Sequence, residues 1–123
     1  MNDTARTESG EPDDAVVAAC LAAYAIGTPP GRAVEKQAVK YLLGQLQVKA
    51  PGNSVEVRVP PYAAVQVVAG ARHRRGTPPA AVEADPRTWI ELATGALTWA
   101  DAVACGHLTA SGERSDLSAL LPL

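Results

Sequence analysis

Apolar positions first recur at helical spacing. Val16, Val17, Cys20, Leu21 and Tyr24 fall on one face, preceded by Asp13 and Asp14 and followed by Gly27. Carboxylates complement the free amides and dipole at a helix start, and glycine supplies a left-handed stop, so the pattern predicts a helix from Asp13 to about Gly27. After the Thr28-Pro-Pro-Gly31 turn, Val39, Leu42, Leu43 and Leu46 form a second stripe, with Glu35, Lys36 and Lys40 in water. This predicts a helix from Arg32 to Val48, and the pair reads as a helical hairpin.

Beyond Ala50-Pro-Gly-Asn-Ser54 the period changes to two. Val55, Val57 and Val59 alternate with Glu56 and Arg58, which marks a strand with one dry and one wet face. Pro60-Pro61 interrupts it, and Tyr62 to Ala69 is the next strand. Val65, Val67 and Val68 cannot share one face of a regular strand, so a bulge or cover on both sides is expected. A third strand runs from Ala80 to Ala84, after Gly76-Thr-Pro-Pro79.

Two short, well-signalled helices follow. Asp85 caps the first, Pro86 takes the position where a missing N–H costs nothing, and Gly95 closes it after Trp89, Leu92 and Ala93. Thr98 and Asp101 form a capping-box-like pair for the second, which stops at Gly106. Leu108 and Ala110 alternate with His107, Thr109 and Ser111 in a strand. Leu117, Leu120 and Leu121 give a last helix its stripe, ending at Pro122. The first dozen residues, Met1 to Pro12, are polar without apolar period and read as a disordered tail ahead of one domain over 13–123.

Length and charge limit the function classes. A chain of 123 residues has a one-domain length and can bury somewhat over ~60% of its unfolded surface. A net charge of −2 and a pI near 5.6 argue against a dedicated nucleic-acid binder. Cys20 and Cys105 show neither CxxC nor Cys/His metal spacing, and both read as buried small hydrophobes in a reducing cytoplasm. The apolar run from Ala15 to Ile26 follows Glu11, Asp13 and Asp14, the wrong charge for an export signal, and is too short to span a bilayer. Abundant alanine, eight arginines against three lysines and no phenylalanine fit a high-GC bacterial genome.

Catalytic chemistry has little to stand on. His73 and His107 are the only histidines, and Cys105 and His107 stand at a helix end and a strand start. They read as a core thiol and a surface imidazole, and no catalytic, metal or cofactor residue is assigned. Trp89 and Trp99 sit beside Leu92 and Val103 at helical spacing and read as core anchors. The basic loop Arg72-His-Arg-Arg75 reads as a solvated loop, or as a contact for an acidic lipid headgroup, phosphate or acidic protein through Arg72, Arg74 and Arg75. The valine and alanine sheet face either packs at ordinary density or leaves a pocket.

Val55-Glu-Val-Arg-Val-Pro-Pro-Tyr-Ala-Ala-Val-Gln66, Gly76-Thr-Pro-Pro79, Glu83-Ala-Asp-Pro-Arg-Thr-Trp89, Leu92-Ala-Thr-Gly95, Trp99-Ala-Asp-Ala-Val103 and Ser118-Ala-Leu-Leu-Pro122 together resemble the bacterial sterol-carrier-protein-like family of high-GC bacteria. The resemblance spans about 13–123. It implies an α+β fold with a mainly antiparallel sheet of four to five strands, the helical hairpin and short C-terminal helices packed on it. It also implies carriage of a lipid or other apolar small molecule in a cavity between sheet and helices, with the C-terminal helix near its mouth. Val65, Val67, Trp89, Leu92, Trp99, Val103, Leu117 and Leu120 are then the expected lining. Related domains also form the C-terminal half of maleylpyruvate isomerase-like enzymes, whose metal-binding helical bundle is expected to be absent from a chain this short. The alternative is a scaffold or protein-interaction module that uses Arg72 to Arg75, with no functional cavity.

Overall fold

A computed structural model describes residues 12–70 and 80–123. The first helix, α1, covers Asp13–Ala25, and α2 covers Arg32–Lys49. The turn between them begins with a Schellman closure: Thr28 N–H bonds Ala23 O at 2.9 Å and Gly27 N–H bonds Tyr24 O at 3.1 Å, with Gly27 at φ 75°. Asp13 and Asp14 do more than favour the helix start. Gln37 Nε2 donates to Asp13 Oδ1 at 3.0 Å and Tyr41 Oη to Asp14 Oδ1 at 3.2 Å, which ties α1 to α2.

Four strands follow: β1 (Val55–Val59), β2 (Ala63–Val67), β3 (Ala80–Ala84) and β4 (Leu108–Ser111). They form one sheet in the order β2-β1-β3-β4. The two outer pairings are antiparallel, as expected, whereas β1 and β3 run parallel, with Val57 opposite Val82. The parallel pair arises because the chain passes β1 after β2 and enters the sheet on its other side. Between β3 and β4 lie α3 (Pro86–Thr94) and α4 (Trp99–Ala104).

Alternation decides which face is covered. Val55, Val57, Val59, Val67, Val82, Ala84 and Leu108 are buried beneath the helices, while Arg58, Ala64, Gln66, Glu83 and Thr109 are exposed on the opposite face. On that face Arg58 Nε pairs with Glu56 at 2.8 Å, and its Nη1 lies 3.8 Å from Glu83 on β3. The competition among Val65, Val67 and Val68 is settled by ending the strand. Val65 and Val67 point inward, and Val68 leaves the ladder at φ 68°. Its peptide is held at both ends, by Ala50 O at 2.7 Å and by the Ser54 N–H at 3.0 Å and hydroxyl at 2.7 Å. Gly52 closes over this turn, where a Cβ would lie 2.2 Å from the Val68 backbone.

The helical layer meets the sheet without a gap at its centre. Leu46, Val55, Val59, Val67 and Ile90 are 0% exposed, so no water-sized void touches those side chains. Trp89 is 3% exposed and its indole N–H donates to Val39 O at 3.4 Å, consistent with the expected core anchor. Glu35, expected in water, is half-buried and accepts hydroxyls from Tyr24 at 2.5 Å and Tyr62 at 2.9 Å.

Two other expectations are corrected. The predicted last helix is a single 3-10 turn, Ser118–Leu120, followed by extended Leu121. Three apolar residues before Pro122 cannot sustain an α-helix, and the backbone groups of this strap find partners elsewhere. Cys105 is exposed rather than buried. With six residues, α4 buries only Ala102, and Cys105 falls at its C-cap on the outer side. The tail Met1 to Glu11, the Gly76-Thr-Pro-Pro79 turn and the basic loop lie outside the described residues.

Candidate functional site

Among the described residues, one concavity built mainly from apolar side chains lies at the C-terminal end of α3. Asp85 Oδ1 accepts the Thr88 N–H at 2.7 Å and starts α3, and Gly95 ends it at φ 89°. The chain then turns through Leu97, whose N–H bonds Glu91 O at 3.2 Å, into Thr98. The Thr98 hydroxyl accepts the Asp101 N–H at 3.1 Å and places Trp99 in the first turn of α4, half-buried. The opposite wall is the strap. Buried Leu117 anchors it, Asp116 Oδ1 accepts the Ser118 N–H at 2.9 Å, and the Leu123 N–H bonds Ala93 O at 2.9 Å. That Ser118 bond holds the Asp116 carboxyl below its usual range.

Lys49 at the end of α2 fixes the strap from outside. Its ammonium donates to Leu120 O at 2.7 Å and Pro122 O at 3.3 Å. The groove between the strap and the two helices, of about 290 Å³ and partly open to solvent, is lined by Leu92, Leu97, Thr98, Trp99, Leu121 and Pro122 together with Gly95, Ala100 and Ser118. Gly95 is part of the lining at φ 89°, a conformation that favours glycine, and lies against Pro122, whose Cγ would be 3.4 Å from a Cβ at that position. The volume is near the lower end of ordinary small-molecule sites, roughly 300 Å³, and suits a short chain or a small ring.

The expected lining residues divide between several places. Leu92 and Trp99 face the groove, and Leu117 and Leu120 belong to the strap that walls it. Trp89 is locked in the core, and Val103 is 48% exposed on α4. Val65 and Val67 lie on β2, at the sheet edge remote from β4, beneath the helical layer. Arg72, Arg74 and Arg75 lie outside the described residues. Leu97, Leu121, Pro122 and Lys49 were not anticipated. An apolar residue just before the Thr98 cap is a legible signal for Leu97, whereas nothing local in the sequence pairs Lys49 with a strap some seventy residues later.

A polar feature lies on the far side of Leu97. His107 follows α4, whose Schellman closure pairs the His107 N–H with Ala102 O at 3.1 Å and the Gly106 N–H with Val103 O at 3.0 Å. Its Nδ1 lies 3.3 Å from Oδ2 of Asp85, the carboxylate that caps α3. A depression of about 310 Å³ on one side is lined by Pro60, Glu83, Gly106 and Thr109 as well as this pair. Another of about 270 Å³ contains Arg87, Thr88, Glu91, Leu97 and Cys105 with the same pair. No group of three or more His, Cys, Asp or Glu among the described residues could hold a metal ion. No helix among them is long and apolar enough to cross a membrane.

A two-layer α+β domain with a hairpin-backed sheet and an apolar groove beside its C-terminal strap belongs to the sterol-carrier class of folds. The chain is a member of the bacterial SCP ortholog family, whose model matches residues 31–123, from the start of α2 through the strap. No curated protein sequence matches it significantly.

Proposed function

We propose that this protein binds and carries a small apolar molecule, without chemical turnover, in the groove between α3, the first turn of α4 and the C-terminal strap. The observation that carries this reading is the wall of Leu92, Leu97, Trp99, Leu121 and Pro122 around about 290 Å³ in a member of a sterol-carrier family. Transfer of apolar surface from water into such a wall contributes about 25 cal/mol per Å², the main driving force for a ligand with few polar groups. Thr98 and Ser118 belong to the lining, and the Ser118 hydroxyl, with the proton of the Thr98 hydroxyl, is available to one polar end of the ligand. The reading places the protein in the reducing cytosol, where both cysteines remain thiols.

The test is titration of the purified chain with an environment-sensitive fluorescent fatty-acyl probe, alongside native mass spectrometry of protein isolated from its own host. Saturable binding that Leu97→Lys abolishes while the fold survives supports the groove. Absence of both a co-purifying apolar molecule and saturable probe binding overturns it.

A further inference from the structure

The walls of the groove are held with unequal strength. Leu92 lies on α3 and Trp99 on α4, and each helix has a side-chain cap at its start and residues buried in the core. Leu121 and Pro122, on the facing wall, belong to a strap whose one 3-10 turn stops at Leu120 and continues as extended chain. The base of the strap is firmly seated. Leu117 is 2% exposed, and the Ser115 hydroxyl donates to Gly112 O at 2.9 Å. Beyond Leu117 no residue is fully buried: Leu120 and Leu121 are half-buried, and Ser118, Ala119, Pro122 and Leu123 are exposed.

The hydrogen bonds divide in the same way. Those of the Ser118 N–H to Asp116 Oδ1, the Leu120 N–H to Leu117 O and the Leu121 N–H to Ser118 O are internal to the strap, at 2.9, 2.9 and 3.4 Å. Those that cross to the body come from Lys49, to Leu120 O and Pro122 O, and from the Leu123 N–H, to Ala93 O. A segment with few buried apolar contacts, held by exposed hydrogen bonds, lies at the low end of local stability.

We propose that the strap beyond Leu117 is the gate of the groove, swinging out as a unit about that residue to admit and release the ligand, with Lys49 as its latch. Opening breaks the crossing bonds, keeps the internal ones and takes Leu121 and Pro122 out of the wall. The two carbonyls that Lys49 holds flank Leu121, so the latch closes on the residue that faces the ligand. A ligand in the closed groove touches Leu121 and Pro122 and loses both contacts when the strap opens, so occupancy favours closure. Control of ligand exchange rests on the carrier reading above, whereas the opening of the strap does not.

The experiment compares the full chain with Lys49→Met and Lys49→Arg. Amide hydrogen exchange without ligand, followed by NMR, should show the Leu121 and Leu123 amides exchanging faster than that of Ile90 in the core. In Lys49→Met both strap amides should exchange about fivefold faster, the factor that one modest hydrogen bond represents, with the Ile90 amide unchanged. Lys49→Arg keeps a cationic donor and should stay near the parent. Stopped-flow mixing with nitrobenzoxadiazole-labelled hexanoate should show association faster by a similar factor in Lys49→Met. Strap amides as slow as that of Ile90, or exchange and association rates in Lys49→Met equal to those of the parent, overturn the proposal. Faster exchange in Lys49→Met in a chain that binds no probe overturns the carrier reading, and gating with it, while the opening of the strap stands.

Discussion

Lys49 Nζ donates to Leu120 O at 2.7 Å, so the last residue of α2 holds a turn that follows every other element of the fold. With the second bond to Pro122 O at 3.3 Å, one ammonium spans both carbonyls of the groove's outer wall. Lys49→Met keeps the length of the side chain and removes both bonds. The expected cost is about 1 kcal/mol, since exposed hydrogen bonds contribute modestly. If the strap gates the groove, the dissociation rate of a bound probe should rise by more than the thermal midpoint falls. Stopped-flow displacement beside thermal unfolding reads both, and an unchanged rate would separate the strap from ligand exchange.

The two tryptophans should respond differently to truncation. Trp89 is 3% exposed, with its indole N–H bonded to Val39 O, and Trp89→Ala leaves both a cavity and a lost partner in the core. A loss of about 3–5 kcal/mol is expected, enough to unfold a marginal domain. Trp99 is half-buried beside the groove, so Trp99→Ala should cost less stability and more probe affinity. Urea unfolding and probe titration of both variants test the division. Equal effects on both readouts would remove Trp99 from the site.

Local chemistry made most of the fold legible. The Asp85 and Thr98 caps, the left-handed stops at Gly27, Gly95 and Gly106, and the Val55-Val57-Val59 alternation each act within a few residues, and each appears where the sequence places it. Non-local relationships were hidden. The parallel pairing of β1 with β3 depends on the path of the chain after β2, and Glu35 is drawn from water by tyrosines at 24 and 62. The strap was misread for a related reason: its leucines are spaced for a helix, but its backbone bonds go to Ala93 and Lys49. The candidate site was legible in part, through Leu92 and Trp99, because a groove wall is assembled from segments whose spacing carries no shared period.

The two thiols predict a simple count. Cys105 is exposed and Cys20 has no exposed surface, with burial the main reason its thiol is raised to about 11. A chromogenic disulfide reagent at neutral pH should therefore modify one thiol per native chain and two in guanidinium. Cys105→Ser should abolish the native reaction and leave the denatured one. Rapid reaction of both thiols in the native chain would show that α1 opens easily from α2.

Glu35 joins three segments, accepting one hydroxyl from α1 through Tyr24 and another from the turn after β1 through Tyr62. Burial first, and then the Glu35 bond and charge, raise both tyrosines above their usual value near 10, Tyr24 most strongly. A group whose folded value is raised contributes stability that is complete below its unfolded value and is lost as pH climbs toward the folded one. The domain should therefore hold its stability to about pH 10 and lose it steeply above that. Arg87 adds to the assembly, with its guanidinium carbon 5.2 Å from the centre of the Tyr24 ring. Glu35→Ala leaves the two hydroxyls without their acceptor, at a cost of about 2 kcal/mol at neutral pH. It should also bring the Tyr62 titration down, as followed by tyrosinate absorbance. A Tyr62 titration unchanged in Glu35→Ala would mean that the hydroxyl takes its environment from burial alone.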